Sequence, residues 1–312
     1  MAGFAGVVLI DKERGYTSHD VVAICRGLFG GKAGHTGTLD PGATGLLPVC
    51  LGGATKFSGH FSSAKKSYVA EILLGVETDT GDSTGDVPGA EPQPRKKGAE
   101  NPVVREISLA AGISPARDYI ERALAGFLGE SMQMPPMYSA VKIGGKKLYE
   151  LAREGLTVER EPRPVRIYGI RLLEQFRGRF TFSVDCSKGT YVRALCEDIG
   201  KALGAKATMG DLRRTRSGAF SVEDAATTGR IKASGNRWAD FVIPIEKLID
   251  YPRGEINQPG AVRSALCGQP VKITNVDGFE PGAEKHWLSA GGRTIGLYVP
   301  DGAGRLVRET TI

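Results

Sequence analysis

The chain has 312 residues, 41% hydrophobic and 24% charged, an ordinary balance for a soluble globular protein with room for a large core and a smaller second unit. Lysine and arginine total 41 against 35 for aspartate and glutamate, a formal charge of +6 with a pI near 9.0, which favours an anionic partner such as nucleic acid. No apolar run reaches the roughly 18 residues that span a bilayer, residues 1–6 lack the marks of a signal peptide, and Cys25, Cys50, Cys186, Cys196 and Cys267 form neither a C-x-x-C pair nor a cluster with histidine, so a cytoplasmic setting without membrane, disulfide framework or structural zinc is expected.

Residues 6–12, GVVLIDK, read as a short buried strand that delivers a charge at its end. Thr17 or Ser18 caps a following helix, with Asp20 in its first turn, Val21, Cys25 and Leu28 or Phe29 facing inward, and Gly30-Gly31 ending it. Next comes the stretch around which the chain is organised, residues 34–45, GHTGTLDPGATG. Pro41 pushes the backbone of Asp40 toward an extended conformation, and the glycines permit tight turns and close approach to a ligand. A surface Asp-Pro-Gly turn is the plain reading. Apolar Leu39 before the carboxylate and the run 46–51 after it support a carboxylate held rigidly at a cleft. Lys12 and Lys32 flank this loop, either as solvated side chains or as phosphate contacts.

Residues 52–57, which include Lys56, begin a short helix. In the strand that follows, Tyr68, Ala70, Ile72 and Leu74 share one face, and Tyr68 is either a core aromatic or a stacking surface at the cleft edge. Residues 78–86, acidic and glycine-rich, read as a turn. From 87 to about 113 the pattern dissolves into prolines and the basic run Arg95-Lys96-Lys97, which predicts a mobile, solvated insertion. Ser114-Pro115 is an N-cap and first-turn pair for a helix with Ile120, Ala123 or Leu124, and Phe127 or Leu128 facing inward. An amphipathic helix is expected over 144–153, and antiparallel strands over 164–176 and 180–186. Thr190 caps a further helix, which puts Tyr191 and Arg193 in its first turn. A cation there gains nothing from the helix dipole, so a carboxylate or phosphate partner is attractive. Residues 212–218, LRRTRSG, form a basic edge suited to phosphates. Short helices are expected at 222–227 and 244–248, and after Tyr251-Pro252 short strands at 271–274, 287–290 and 294–299.

The 34–45 stretch resembles the catalytic loop of the TruB family, bacterial tRNA pseudouridine synthases that act on the T-loop uridine. The K-x-Y at Tyr68, the block at 78–86, P-P-x-Y-S-A-x-K at 135–142 with G-x-x-L-Y-x-x-A-R at 145–153, S-K-G-T-Y-V-R at 187–193 and L-R-R-T at 212–215 are similar to that family's blocks in kind and order. The resemblance implies an α+β fold: a catalytic domain, residues 1–250, with a central mixed, mostly antiparallel sheet flanked by helices and loops and a basic insertion at about 88–113. It also implies a small β-rich PUA-like RNA-binding domain, residues 251–312, on position and composition alone.

The same resemblance implies isomerisation of the T-loop uridine of tRNA to pseudouridine on a flipped-out base, by a monomer, with no cofactor and no metal. Asp40 is then the nucleophile, Arg193 its ion-pair partner and Tyr68 the aromatic that packs on the uracil. Tyr191 lines the pocket, and His35, Lys12, Lys56, Leu212, Arg213 and Arg214 complete the substrate-binding set. The chemistry suits these residue types, because an extruded base needs aromatic surfaces, a basic rim and one nucleophilic carboxylate. Two other classes remain: a non-catalytic tRNA-binding or RNA-folding protein using the same cleft, and a phosphate hydrolase holding a divalent ion on Asp40 with Asp79, Asp82 and Asp86. A chain ended near Asp250 is expected to keep its fold and lose mainly RNA affinity.

Overall fold

The computed structural model describes residues 5–92 and 94–312, without the Asn236 side chain; residues 1–4, part of the leader considered above, and Gln93 of the insertion lie outside the described residues. The first strand, β1 (Ala5–Lys12), is apolar along its length because it is covered on both faces. Val8 and Ile10 enter one core, while Ala5, Val7 and Leu9 enter a second. Helix α1 (Ser18–Phe29) starts on a capping box between Thr17 and Asp20 and stops at Gly30. After β2 (Ala33–His35), β3 (Thr44–Gly52) runs antiparallel to β1 and divides its side chains between the same two cores. The short helix α2 (Ser58–Ser62) leads to β4 (Lys66–Leu74).

Helices α3 (Pro102–Ala111) and α4 (Arg117–Ala125) precede the edge strand β5 (Gly129–Gln133). A small hairpin, β6 (Lys142–Ile143) with β7 (Lys146–Lys147), opens α5 (Leu148–Arg153). Then follow β8 (Arg163–Phe176), β9 (Arg179–Cys186), α6 (Val192–Ala202), β10 (Ala207–Ser217), β11 (Phe220–Ser221), α7 (Thr228–Ala233) and β12 (Val242–Pro244).

The central sheet has the order β12-β1-β3-β10-β4-β9-β8-β5, with β2 on β3 and β11 on β10. Every pairing in it is antiparallel except β3 with β10, so the sheet is mixed and mostly antiparallel. That parallel pairing depends on Gly45. Its φ is +100°, and a Cβ at this position would collide with the backbone carbonyl oxygen of Arg214. In consequence Gly45, Arg214, Tyr68 and Val184 stand in one row across β3, β10, β4 and β9.

Described residues of the insertion pack against the fold, where its composition predicts a mobile, solvated segment. Asn101 is buried, caps α3 by accepting from the Val103 N–H at 3.2 Å, and donates its amide to the Gly85 carbonyl at 3.0 Å. Its chain N–H donates to the Ser83 carbonyl at 2.7 Å. From α3, Arg105 reaches the buried carboxylate of Glu71 with two nitrogens, 3.2 and 3.0 Å, and Arg179 adds a third bond at 2.7 Å. Val104 packs on Leu73 and Val76. The Asn101-Pro102 pair is a legible start signal that the density of prolines around it hid. Other boundaries move too. Helix α4 begins at Arg117 rather than after Ser114, α5 begins at Leu148 rather than 144 because the β6–β7 hairpin takes the residues before it, and α6 is capped by Tyr191 rather than Thr190, whose hydroxyl instead donates to the Ser187 carbonyl at 3.0 Å.

The C-terminal residues form a separate six-stranded sheet of order β14-β18-β17-β16-β13-β15. Its elements are β13 (Arg253–Ile256), α8 (Pro259–Leu266), β14 (Val271–Lys272), β15 (Val276–Asp277), β16 (His286–Ala290), β17 (Arg293–Pro300) and β18 (Arg305–Thr311). The sequence patterns found three of these strands; β13, β15, β18 and α8 were not expected. This sheet is anchored to the first. Trp287 is fully buried in the cluster that holds Val7, Leu9, Leu46 and Cys50, and its indole N–H donates to the Ile249 carbonyl at 2.9 Å. Ending the chain near Asp250 therefore exposes a shared core instead of leaving the remainder undisturbed. Trp287→Ala is expected to cost about 3–5 kcal/mol in denaturant-induced unfolding. A cost near zero would mean that the two sheets do not share this core in solution.

Candidate active site

The loop before β3 is held from three sides. From β10, the buried Arg214 guanidinium donates to the Leu46, Gly37 and Thr38 carbonyls at 2.7, 3.0 and 3.4 Å. From β1, Lys12 is fully buried, and its Nζ donates to the Tyr16, Glu13 and Pro41 carbonyls at 2.7, 3.1 and 3.4 Å. Burial lowers its pKa to about 8, although Asp40 nearby favours the cation. From α1, the Ser18 hydroxyl accepts from the Leu39 N–H at 2.8 Å and lies 3.1 Å from the Leu39 carbonyl. Leu39 and Ala43 point into the core, and Asp40 between them is left with its side chain 36% exposed.

Arg193, in the first turn of α6, meets that carboxylate. Its Nε lies 3.1 Å from Asp40 Oδ2, while its two terminal nitrogens donate to the Thr80 and Tyr138 carbonyls at 2.8 and 2.7 Å. The guanidinium is buried and makes a contact from each of its three nitrogens, with an Asp82 oxygen 3.9 Å from the same Nε. A fork fixed by two carbonyls presents its Nε edge in one direction, so it orients the Asp40 carboxylate. The turn at 78–86 exists to supply this support. Asp82 accepts from the Thr80 and Thr84 hydroxyls and the Thr84 N–H, which shapes the turn so that the Thr80 carbonyl faces α6.

Tyr68 stands one strand from Arg214 and is almost wholly buried. Burial raises its phenol pKa, with the Arg214 charge opposing, so the ring is neutral and its hydroxyl keeps its proton. Leu212 is buried beside Ala70. Tyr191 is half-buried, and its backbone is clamped by Gln133, which accepts from the Tyr191 N–H at 2.8 Å and donates to its carbonyl at 3.1 Å. His35 is half-buried in β2, meets His19 edge-on at 5.4 Å, and has its pKa lowered by burial and by the charges of His19 and Arg214.

Asp40, Arg193, Tyr68, Tyr191, Leu212 and His35 are therefore gathered around one loop. The cations expected to hold phosphate behave otherwise. Lys12 and Arg214 are spent on backbone carbonyls beneath the loop. Arg213 makes a bidentate pair with Asp11 at 3.0 and 2.8 Å. Lys56 is exposed, but sits past the far end of β3, about 27 Å of strand from Thr44, where the Asp40 side of the loop enters that strand. The supporting roles of Gln133 and of the Thr80 and Tyr138 carbonyls were missed, and Asp82 was weighed only as a metal ligand. The 78–86 and 135–142 blocks mark their neighbourhoods, but backbone acceptors carry no side-chain signature. Of the carboxylates considered for a divalent ion, Asp79 accepts from the Asp86 N–H and Asp86 pairs with Arg95. Among the described residues no three ligand-type side chains converge as a metal site.

Comparison with known proteins agrees with this geometry. Residues 26–192 match the TruB family pseudouridylate synthase N-terminal domain, and residues 193–250 match the tRNA pseudouridylate synthase B C-terminal domain. The chain is 44% identical over 300 residues to a tRNA pseudouridine synthase B from Geobacillus kaustophilus, covering 90% of this chain and 98% of that one. It is 40% identical over 311 residues to one from Aromatoleum aromaticum, covering 96% and 90%. Among solved structures it is similar to a chain of a Cbf5-Nop10-Gar1 complex, with a TM-score of 0.59, 30% identity and coverage of 94% of this chain and 78% of that one.

Proposed function

The chain belongs to the TruB family of pseudouridylate synthases, and from that premise we propose that Asp40 is the nucleophile with which it converts the T-loop uridine of tRNA to pseudouridine. The chain is a tRNA pseudouridine synthase, an isomerase. The observation that carries the assignment of roles is the Asp40–Arg193 pair, 3.1 Å long, made by a guanidinium whose two terminal nitrogens are each bonded to a backbone carbonyl. The pair holds one partly exposed carboxylate in a fixed direction, toward the position an extruded base would take.

In this reading the uridine leaves the T loop and packs its uracil against Tyr68, with Leu212 and Tyr191 bounding the pocket. Asp40 bonds transiently to the substrate as the N1–C1′ bond breaks, the uracil turns while still enclosed, and C5 bonds to the ribose C1′ as Asp40 is released. C5 gives up its proton and N1 gains one, so the product is an isomer and nothing is oxidised. Tyr68, neutral and buried, offers a ring face and a hydroxyl without charge. The T-stem and T-loop are the part of tRNA that the enzyme grips, and it works as a monomer in the cytoplasm. No helix among the described residues is long and apolar enough to cross a membrane.

Incubating the pure protein with unmodified tRNA and analysing the nucleosides tests the reading. Pseudouridine at the T-loop position is expected, and tRNA bound without conversion would support an RNA-folding protein instead. The electrostatics of binding are expected to depart from the sequence-level picture. Arg214→Met should leave the salt dependence of tRNA binding unchanged, because a guanidinium spent on three carbonyls releases no counterion from RNA. A slope that falls by about 0.7–0.9, the value of one phosphate contact, would place Arg214 at the RNA.

A further inference from the structure

We propose that residues 95–101 of the insertion are a strap that positions the Asp40 loop from outside, acting through Gly98. The proposal rests on the reading of Asp40 as the nucleophile and adds a positioning device to it. Gly98 lies flat against the loop. A Cβ on it would stand 2.7 Å from the Pro41 carbonyl oxygen and 3.1 Å from the Gly15 Cα, closer than packed atoms approach. Its φ of +73° turns the chain so that this bare face is presented. The same Pro41 carbonyl accepts from the Gly15 N–H at 2.8 Å and from Lys12 Nζ at 3.4 Å. The carbonyl one residue after Asp40 is thus enclosed on every side, and the insertion supplies one of the walls.

The strap is fastened at both ends. On one side, Arg95 donates to the Thr84 carbonyl at 3.3 Å and pairs with Asp86, and Lys97 pairs with Asp20 of α1 at 3.1 Å. On the other, Asn101 is bonded to the Ser83 and Gly85 carbonyls. Between them the Ala99 N–H closes a turn on the Lys96 carbonyl at 2.9 Å. One segment therefore ties together the start of α1, the turn that holds Arg193 through Thr80, and the residue after Asp40. A shift of Gly98 moves the carboxylate relative to its arginine. Exposed Lys96 and Lys97 make a different role conceivable, direct contact with RNA phosphates, and that role predicts different measurements.

The test uses the full-length protein with three variants: Gly98→Ala, Gly98→Asn, and Arg95→Met combined with Lys97→Met. Single-turnover conversion at saturating protein is expected to slow about tenfold or more, with tRNA affinity changed less than about twofold, because a displaced catalytic group costs rate and not binding. Gly98→Asn should be impaired as much as Gly98→Ala. Asparagine tolerates the left-handed backbone, so its loss would come from the Cβ that meets Pro41. The double variant adds no Cβ against Pro41 and removes only the half-buried Arg95 tie and the exposed Lys97 tie, so it carries the test even where Gly98→Ala fails to fold. An unchanged saturating rate, with weaker binding and a shallower salt dependence, would overturn the proposal and make the insertion an RNA contact. Unchanged rate and unchanged binding would overturn it as well. Asp40→Asn run alongside separates the two readings: activity in that variant defeats the nucleophile assignment, whereas an inactive Asp40→Asn beside fully active strap variants defeats only the strap.

Discussion

Asp40→Asn is expected to reduce single-turnover pseudouridine formation on unmodified tRNA by on the order of 10⁴-fold or more, the scale on which loss of a catalytic nucleophile acts. Binding and folding should survive. The asparagine carbonyl still accepts from Arg193 Nε, and the guanidinium keeps its bonds to the Thr80 and Tyr138 carbonyls. The Asp82 carboxylate, 3.9 Å away, remains to offset its charge. Asp40→Ala removes the acceptor altogether and leaves one edge of a buried guanidinium unbonded, which is expected to cost about 1–3 kcal/mol of stability in addition to activity. The measurement is conversion with protein in excess, alongside tRNA affinity and a denaturant midpoint. A rate for Asp40→Asn close to that of the unaltered protein would remove Asp40 from the chemical step.

Arg193→Lys is the second large effect, expected at about 10²-fold in the same single-turnover rate, with tRNA affinity much less affected. Lysine keeps the charge but has one nitrogen where the site uses three in a fixed plane. An ammonium near Asp40 cannot also satisfy the Thr80 and Tyr138 carbonyls. The Asp40 carboxylate would lose its fixed direction. Arg193→Met goes further, leaving both carbonyls without a donor at about 1–3 kcal/mol each if no water replaces it. Equal losses of rate and affinity in Arg193→Lys would show that the arginine serves RNA binding more than the orientation of Asp40.

Much of the local structure was legible from the order of residues. The Thr17–Asp20 capping box, the alternation over 180–186 and the inward stripe of α6 each follow from steric and hydrogen-bonding rules that act over a few residues. The insertion was misread because its prolines and lysines resemble those of a solvated linker. What orders it is Glu71, a buried carboxylate on a strand far away in sequence that takes two arginines. No local pattern announces such a partner. The C-terminal strands were only partly found because two of those missed, β13 and β15, are short and take their order from their neighbours in the sheet.

By itself, the sequence determined which groups exist and where the chain bends: a carboxylate locked between Leu39 and Pro41, an arginine at the start of a helix, a tyrosine on a strand face. The tertiary structure alone decided what those groups meet. Arg193 turns inward to Asp40 because the 78–86 turn and Tyr138 offer it carbonyls, and Lys12 and Arg214 became supports of the loop because β1 and β10 pass beneath it. The physical reason is the range of the forces involved. Backbone propensity and capping are settled within a turn or two of the chain. Whether a cation faces water, a phosphate or a peptide carbonyl depends on which remote segment removes the water around it.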